Sequence, residues 1–133
     1  MPATVALIGF TAWTLLLVFI AVNWRALEIL RGVPADSWTR GKERDRPALI
    51  KRIEHAHINC IENLPVFAAI VLAAYVMGKS AVVDAVAVYV LYARIAQSLT
   101  HLAGVSHWMV LVRATFYTLQ ILLFFYMIWG LVA

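Results

Sequence analysis

Residues 55–77 read HAHINCIENLPVFAAIVLAAYVM. The first part of this stretch carries two histidines, two asparagines, a cysteine and a glutamate, whereas residues 66–77 carry no charge at all. A segment of about 20 mainly apolar residues is long enough to cross a bilayer. In hydrocarbon the backbone must satisfy its own hydrogen bonds, so such a segment is a helix and not an open strand. The period-two alternation of a barrel strand is absent. The stretch therefore reads as a membrane helix with a polar head.

The rest of the chain fits that reading. Of its 133 residues, 64% are hydrophobic and 14% charged, with a mean hydropathy of +0.86. A soluble domain is roughly 45–50% apolar, and so small a globule cannot hide the excess. Three further apolar runs, residues 5–22 (continuing helically to Leu30), 81–102 and 108–133, complete a set of four. The expected fold is all-α, an integral-membrane, left-handed four-helix bundle. It forms one domain over residues 1–133, with helices near 4–31, 48–77, 81–102 and 108–132. The first run is expected to be retained, since residues 1–4 lack a basic region and no small-residue cleavage site follows. Cys60 is the only cysteine, so no intrachain disulfide forms and no metal site is expected.

Lysine and arginine set the expected orientation. Arg31, Arg40, Lys42, Arg44, Arg46, Lys51 and Arg52 lie in or beside the one long connector, 32–52, which Pro34, Gly41 and Pro47 punctuate. Lys79 is alone in the second connector. The positive-inside rule then places the first connector in the cytoplasm and both termini outside. The net charge of +4 reports this topology, not nucleic-acid binding. The compact form, without a targeting peptide, points to a bacterial inner membrane.

Polar residues on all four helices share one depth. Arg25 ends the first helix. On the second, Arg52, His55, Asn59, Glu62 and Asn63 fall within about 100° of one another at 100° per residue. Arg94, Gln97, Ser98 and His101 form a stripe on the third, and Arg113, Tyr117 and Gln120 on the fourth. Charges inside a membrane are costly and mark function by default. Arginine forks match carboxylates, so a pocket of this kind suits a small anionic zwitterion beside a lipophilic second substrate. Plainer readings exist for single residues. His57 points almost opposite to Asn59 and reads as a structural histidine; two histidines two apart diverge and make a poor metal pair. Cys60 reads as packing, Pro65 as a kink, and Glu62 with Arg94 as a possible interhelical ion pair.

HAHINCIENLP, with Lys51 and Arg52 ahead of it, resembles the second-helix signature of the MAPEG family, the membrane-associated proteins in eicosanoid and glutathione metabolism. His55, Asn59, Glu62 and Pro65 match its spacing in register, and the pair Asn59–Cys60 is similar to leukotriene C synthase. Arg94 in YARIAQSLTH and Arg113 to Tyr117 in RATFY resemble the family's third- and fourth-helix motifs. The resemblance implies a homotrimer with glutathione bound between subunits as co-substrate. It implies that Arg113 and Tyr117 would stabilise the thiolate, while Arg25, His55, Asn59, Glu62, Arg94 and His101 would hold the tripeptide. A free thiol has a pKa near 8.5, and an adjacent guanidinium favours its thiolate. The family's pattern has arginine at His55, tyrosine at His101 and, in the prostaglandin enzyme, serine at Ala114; these departures argue against an eicosanoid synthase and make carboxylate binding at His55 pH-dependent. The implied activity is glutathione transfer, with or without peroxidase action, to a lipophilic electrophile in contact with membrane lipids. The alternatives are a non-catalytic relative that binds a lipid or partner in the same pocket, and a small transporter using Glu62. Against the transporter, the polar groups cluster at one side and not at the midplane.

Overall fold

The computed structural model describes residues 1–38 and 45–133. Arg40, Lys42 and Arg44 of the basic connector lie outside the described residues. Among the described residues five α-helices follow one another: α1 (Ala3–Leu30), α2 (Ala48–Val76), α3 (Ser80–Asp84), α4 (Ala87–Ala103) and α5 (His107–Val132), with a 3₁₀ turn at Ala35–Trp38. No strand occurs among the described residues. Among the described residues, four stretches are long and apolar enough to cross a membrane, namely α1, α2, Ser80–Ala103 and α5. The chain is an integral-membrane four-helix bundle. The third span is interrupted at residues 85–86, where Val86 N–H bonds back to Val83 O in a tighter, three-residue step.

Helix ends show why the elements stop where they do. Gly32 and Gly78 have positive φ, 100° and 69°, a conformation that glycine adopts without a Cβ clash. Behind α2, Gly78 N–H reaches Tyr75 O at 3.2 Å and Lys79 N–H reaches Ala74 O at 2.8 Å. The same paired closure ends α1 at Gly32 and Val33. Pro2 and Pro47 precede α1 and α2, where a proline cannot extend a helix backwards. The start of α1 is capped from a distance: Asp84 Oδ1 accepts Ala3 N–H at 2.6 Å and Tyr75 O–H at 3.0 Å. This one carboxylate ties α1, α2 and α3 together.

Helix α1 packs on α2 and α4, and α4 packs most extensively on α5. An aromatic column runs through the middle. Phe10 of α1 lies 5.6 Å from Phe67 of α2, which lies 6.0 Å from Phe124 of α5. Around it Cys60, Val71, Val83, Val90 and Met127 are fully buried. Large apolar residues such as Ile8, Phe19, Leu122 and Phe125 cover the outside, an arrangement that only lipid tolerates over such an area.

At the Asp84 end, α5 approaches α3 closely. A Cβ at Gly130 would stand 2.6 Å from Val82 Cγ1. We predict that Gly130→Ala lowers stability by about 1–3 kcal/mol through overpacking, and that Val82→Ala in the same background recovers most of the loss. Thermal unfolding of detergent-solubilised protein, followed by circular dichroism, measures both.

Candidate functional site

At the opposite end of the bundle, three helices converge on one groove of about 420 Å3. Helix α2 supplies His55, Ile58 and Asn59, α4 supplies His101, the following turn Val105, and α5 Arg113. The helical spacing explains the α2 contribution: His55 and Asn59 are four apart and stack on one face. The His55 and His101 rings lie 6.1 Å apart between centroids, tilted by 40°. Asn59 Nδ2 stands 3.4 Å from His101 Nδ1. The contact joins the Asn59 amide to the His101 ring across α2 and α4. Arg52 Nε donates to Leu102 O at 2.9 Å, placing a cation at the C-terminal end of α4, where unpaired carbonyls carry negative charge.

A second polar group lies deeper. Arg94 of α4 is 0% exposed, and none of its three guanidinium nitrogens has a hydrogen-bond partner. Its guanidinium sits 5.4 Å from the centre of the Phe10 ring and 5.9 Å from that of Tyr117. Nearby, Gln120 Nε2 donates to Gln97 Oε1 at 2.8 Å and to Phe116 O at 3.0 Å, pinning α5 to α4. Cys60 Sγ and Ser98 Oγ are 3.7 Å apart, so the lone thiol packs between α2 and α4, as its sequence context indicates.

A third group occupies the other side of α2. Arg25 Nη2 and Arg46 Nε reach the two oxygens of Glu54, at 2.8 and 2.6 Å. Arg25, Glu54 and His57 border a cavity of about 230 Å3 between α1 and α2, walled by Val18, Ala21, Val22 and Ile58. His57 Nδ1 lies 3.1 Å from Thr14 O. That contact fits the structural role its opposite face indicates.

The expected site residues therefore fall into three sets. His55, Asn59, His101 and Arg113 share the groove. Arg94, in the bundle interior, faces the ring of half-buried Tyr117. Arg25 stands across α2, and Glu62 is exposed on the bundle surface. Among the described residues Glu62 and Arg94 form no ion pair. Sequence reading missed Glu54 as the joint acceptor for two arginines. The signal was present: Glu54 and His57, three apart, define a second polar face of α2. It also missed Asp84, which has no local motif because its partner, Ala3, lies 81 residues away.

A buried, unpaired cation costs several kcal/mol, and two ring contacts return about 0.5–2 kcal/mol each. We predict that Arg94→Met makes the ligand-free protein more stable, by about 1–4 kcal/mol. Thermal denaturation in detergent measures the change, and a lower midpoint would mean that the bundle itself neutralises Arg94.

Neither curated proteins nor solved structures gave a match. The model of the MAPEG family matches residues 3–133. A four-helix membrane bundle with its polar groups at one end agrees with that match, and the match takes in essentially the whole chain. The chain belongs to the MAPEG family, a family of membrane proteins in eicosanoid and glutathione metabolism.

Proposed function

We propose that the groove binds glutathione and that the protein transfers it to lipophilic electrophiles, with hydroperoxide reduction as a related activity. The observation that carries this reading is the convergence of His55, Asn59, His101 and Arg113 from three helices on one groove. Donors and cations of this kind suit the carboxylates, amides and thiol of a short peptide.

In the proposed mechanism Arg113 and Tyr117 stabilise the thiolate, which is the reactive form. His55, Asn59, His101 and Glu62 position the tripeptide, with Arg94 behind them as a fixed positive charge. The sulfur attacks the electrophilic carbon of the second substrate, a sulfur–carbon bond forms, and the leaving group departs with the bonding electrons. That substrate approaches along lipid-facing apolar grooves. One, on α1, is bordered by Leu15, Leu16 and Phe19, and the other, on α5, by Leu111, Ala114 and Leu119.

The homotrimer is part of this proposal. Within one chain Arg25 lies across α2 from the groove. Glu62 is exposed to the outside of the bundle. Two incomplete polar faces on either side of one helix support a site closed by a neighbouring copy. We further propose that the groove end faces the cytoplasm of a bacterial inner membrane, since Arg31, Lys51 and Arg52 lie at that end.

The test is to titrate glutathione into detergent-purified protein at neutral pH and follow thiolate absorbance in the ultraviolet. We expect a saturable signal that Arg113→Ala abolishes, together with a fall of about 10²–10³-fold in conjugation rate, the loss typical of one charge-stabilising donor. If the intact protein bound no glutathione and Arg113→Ala changed nothing, the reading would fail. A copurified lipid in the groove would then favour the non-catalytic alternative.

A further inference from the structure

Two glutamines are buried beneath the groove, and neither lines it. Gln97 of α4 is 3% exposed and Gln120 of α5 is 1% exposed. Gln120 Nε2 donates to Gln97 Oε1 at 2.8 Å and to Phe116 O of its own helix at 3.0 Å. Among the described residues no other side-chain hydrogen bond joins α4 to α5. Water is absent from the middle of a bilayer, so a buried amide that leaves its partner finds nothing to replace it. The pair therefore resists any slip or rotation of one helix against the other. Apolar packing cannot supply that resistance alone. It is non-directional, and α5 carries apolar residues on nearly every face. Residues 107–119 of α5, the half that reaches the groove, are all exposed or half-buried. Gln120 is the first buried residue of α5 met from the groove.

Spacing shows what the pair holds in place. Gln120 follows Tyr117 by three residues and Arg113 by seven, so the three share one face of α5. Gln97 follows Arg94 by three residues and precedes His101 by four, on one face of α4. With the glutamines joined, Arg113 borders the groove beside His101, and the Tyr117 ring faces the Arg94 guanidinium at 5.9 Å. Turning α5 by one residue position, about 100°, would carry Arg113 off the groove wall and separate the glutamines. We propose that Gln97 and Gln120 are positioning residues: their hydrogen bond sets the rotation of α5 on α4 that holds Arg113 and Tyr117 to the thiolate. They touch neither the peptide nor the reacting atoms and act through the two helices. This inference rests on the glutathione reading, since it concerns the geometry of that same site.

The experiment compares Gln97→Met, Gln120→Met and the double variant with the unaltered protein in detergent. It reads thermal unfolding, thiolate absorbance with glutathione at neutral pH, and kcat and KM for conjugation. Methionine is unbranched and fills much the same space as glutamine. Replacing both partners of a buried hydrogen bond by apolar groups of similar shape is nearly neutral for stability, so the double variant should unfold at the temperature of the unaltered protein. It should still lose most of the thiolate signal and about 10–100-fold in kcat, the effect of a misplaced group. KM for glutathione should change by less than about threefold, because His55, Asn59 and His101 stay in place. Each single variant should lose as much as the double one, since either change breaks the pair and the losses do not add. A stable double variant with full thiolate signal and kcat overturns the positioning role and leaves the glutathione reading intact. Losses that add, or that recover together with the unfolding temperature in the double variant, also overturn it. If a single variant fails to fold, the double variant decides by its own signal and kcat. No thiolate signal in the unaltered protein overturns both readings.

Discussion

Hydrocarbon offers no hydrogen bonds, and the rest of this structure follows from that constraint. Backbone groups pair within the helices, and only helix ends leave donors and acceptors over. The chain closes those ends with left-handed glycines, and at α1 with a carboxylate borrowed from α3. Threonines at positions 11, 14, 100 and 115 return their hydroxyls to a carbonyl one turn back in their own helix. Polar side chains with larger demands gather at the other end, where they have one another. The outer surface is left to leucine, isoleucine, valine and phenylalanine.

Helix α2 is where this gathering becomes a site. One of its faces carries Arg52, His55 and Asn59 towards α4 and α5. Another carries Glu54 and His57 towards α1. Both faces arise from the same head of the helix, and the periodicity of 3.6 separates residues that are adjacent in sequence. Glu54 and His55 are neighbours in the chain and work on opposite sides of the molecule. Beyond this head, Pro65 withholds a backbone donor from the carbonyl of Ile61, after which α2 becomes apolar and joins the aromatic column through Phe67.

How much of this was legible in the sequence differs by level. The four spans could be read because apolar length is a local property, but the polar groups do not share one depth as expected: Arg94 and Gln120 sit mid-helix, deeper than the groove. The helical wheel also placed His55 with Asn59, and His57 apart from them. It could not say which stripe faces which. Arg94 and His101 lie on one stripe of α4, yet Arg94 is in the bundle interior against Phe10 while His101 lines the groove. The step of seven residues from one to the other amounts to about two turns and roughly 10 Å of depth. Arg25 read as a ligand-binding cation, but whether it faces the groove depends on how α1 packs against α2. Its carboxylate partner within the chain is Glu54. Long-range pairs such as Asp84 with Ala3 have no sequence signature at all.

The distribution of arginines gives the groove its character. Four of those near this end are engaged or enclosed: Arg25 and Arg46 on Glu54, Arg52 on a carbonyl at the end of α4, and Arg94 between aromatic rings. Arg113 is the arginine that borders the groove, beside two imidazoles. A groove lined wholly by guanidinium groups would present charge alone; here part of the wall is imidazole and amide, which can also pair with neutral polar groups. Burying Arg94 nearby adds a constant field that an entering anion also meets. That fixed field favours any anion that can enter.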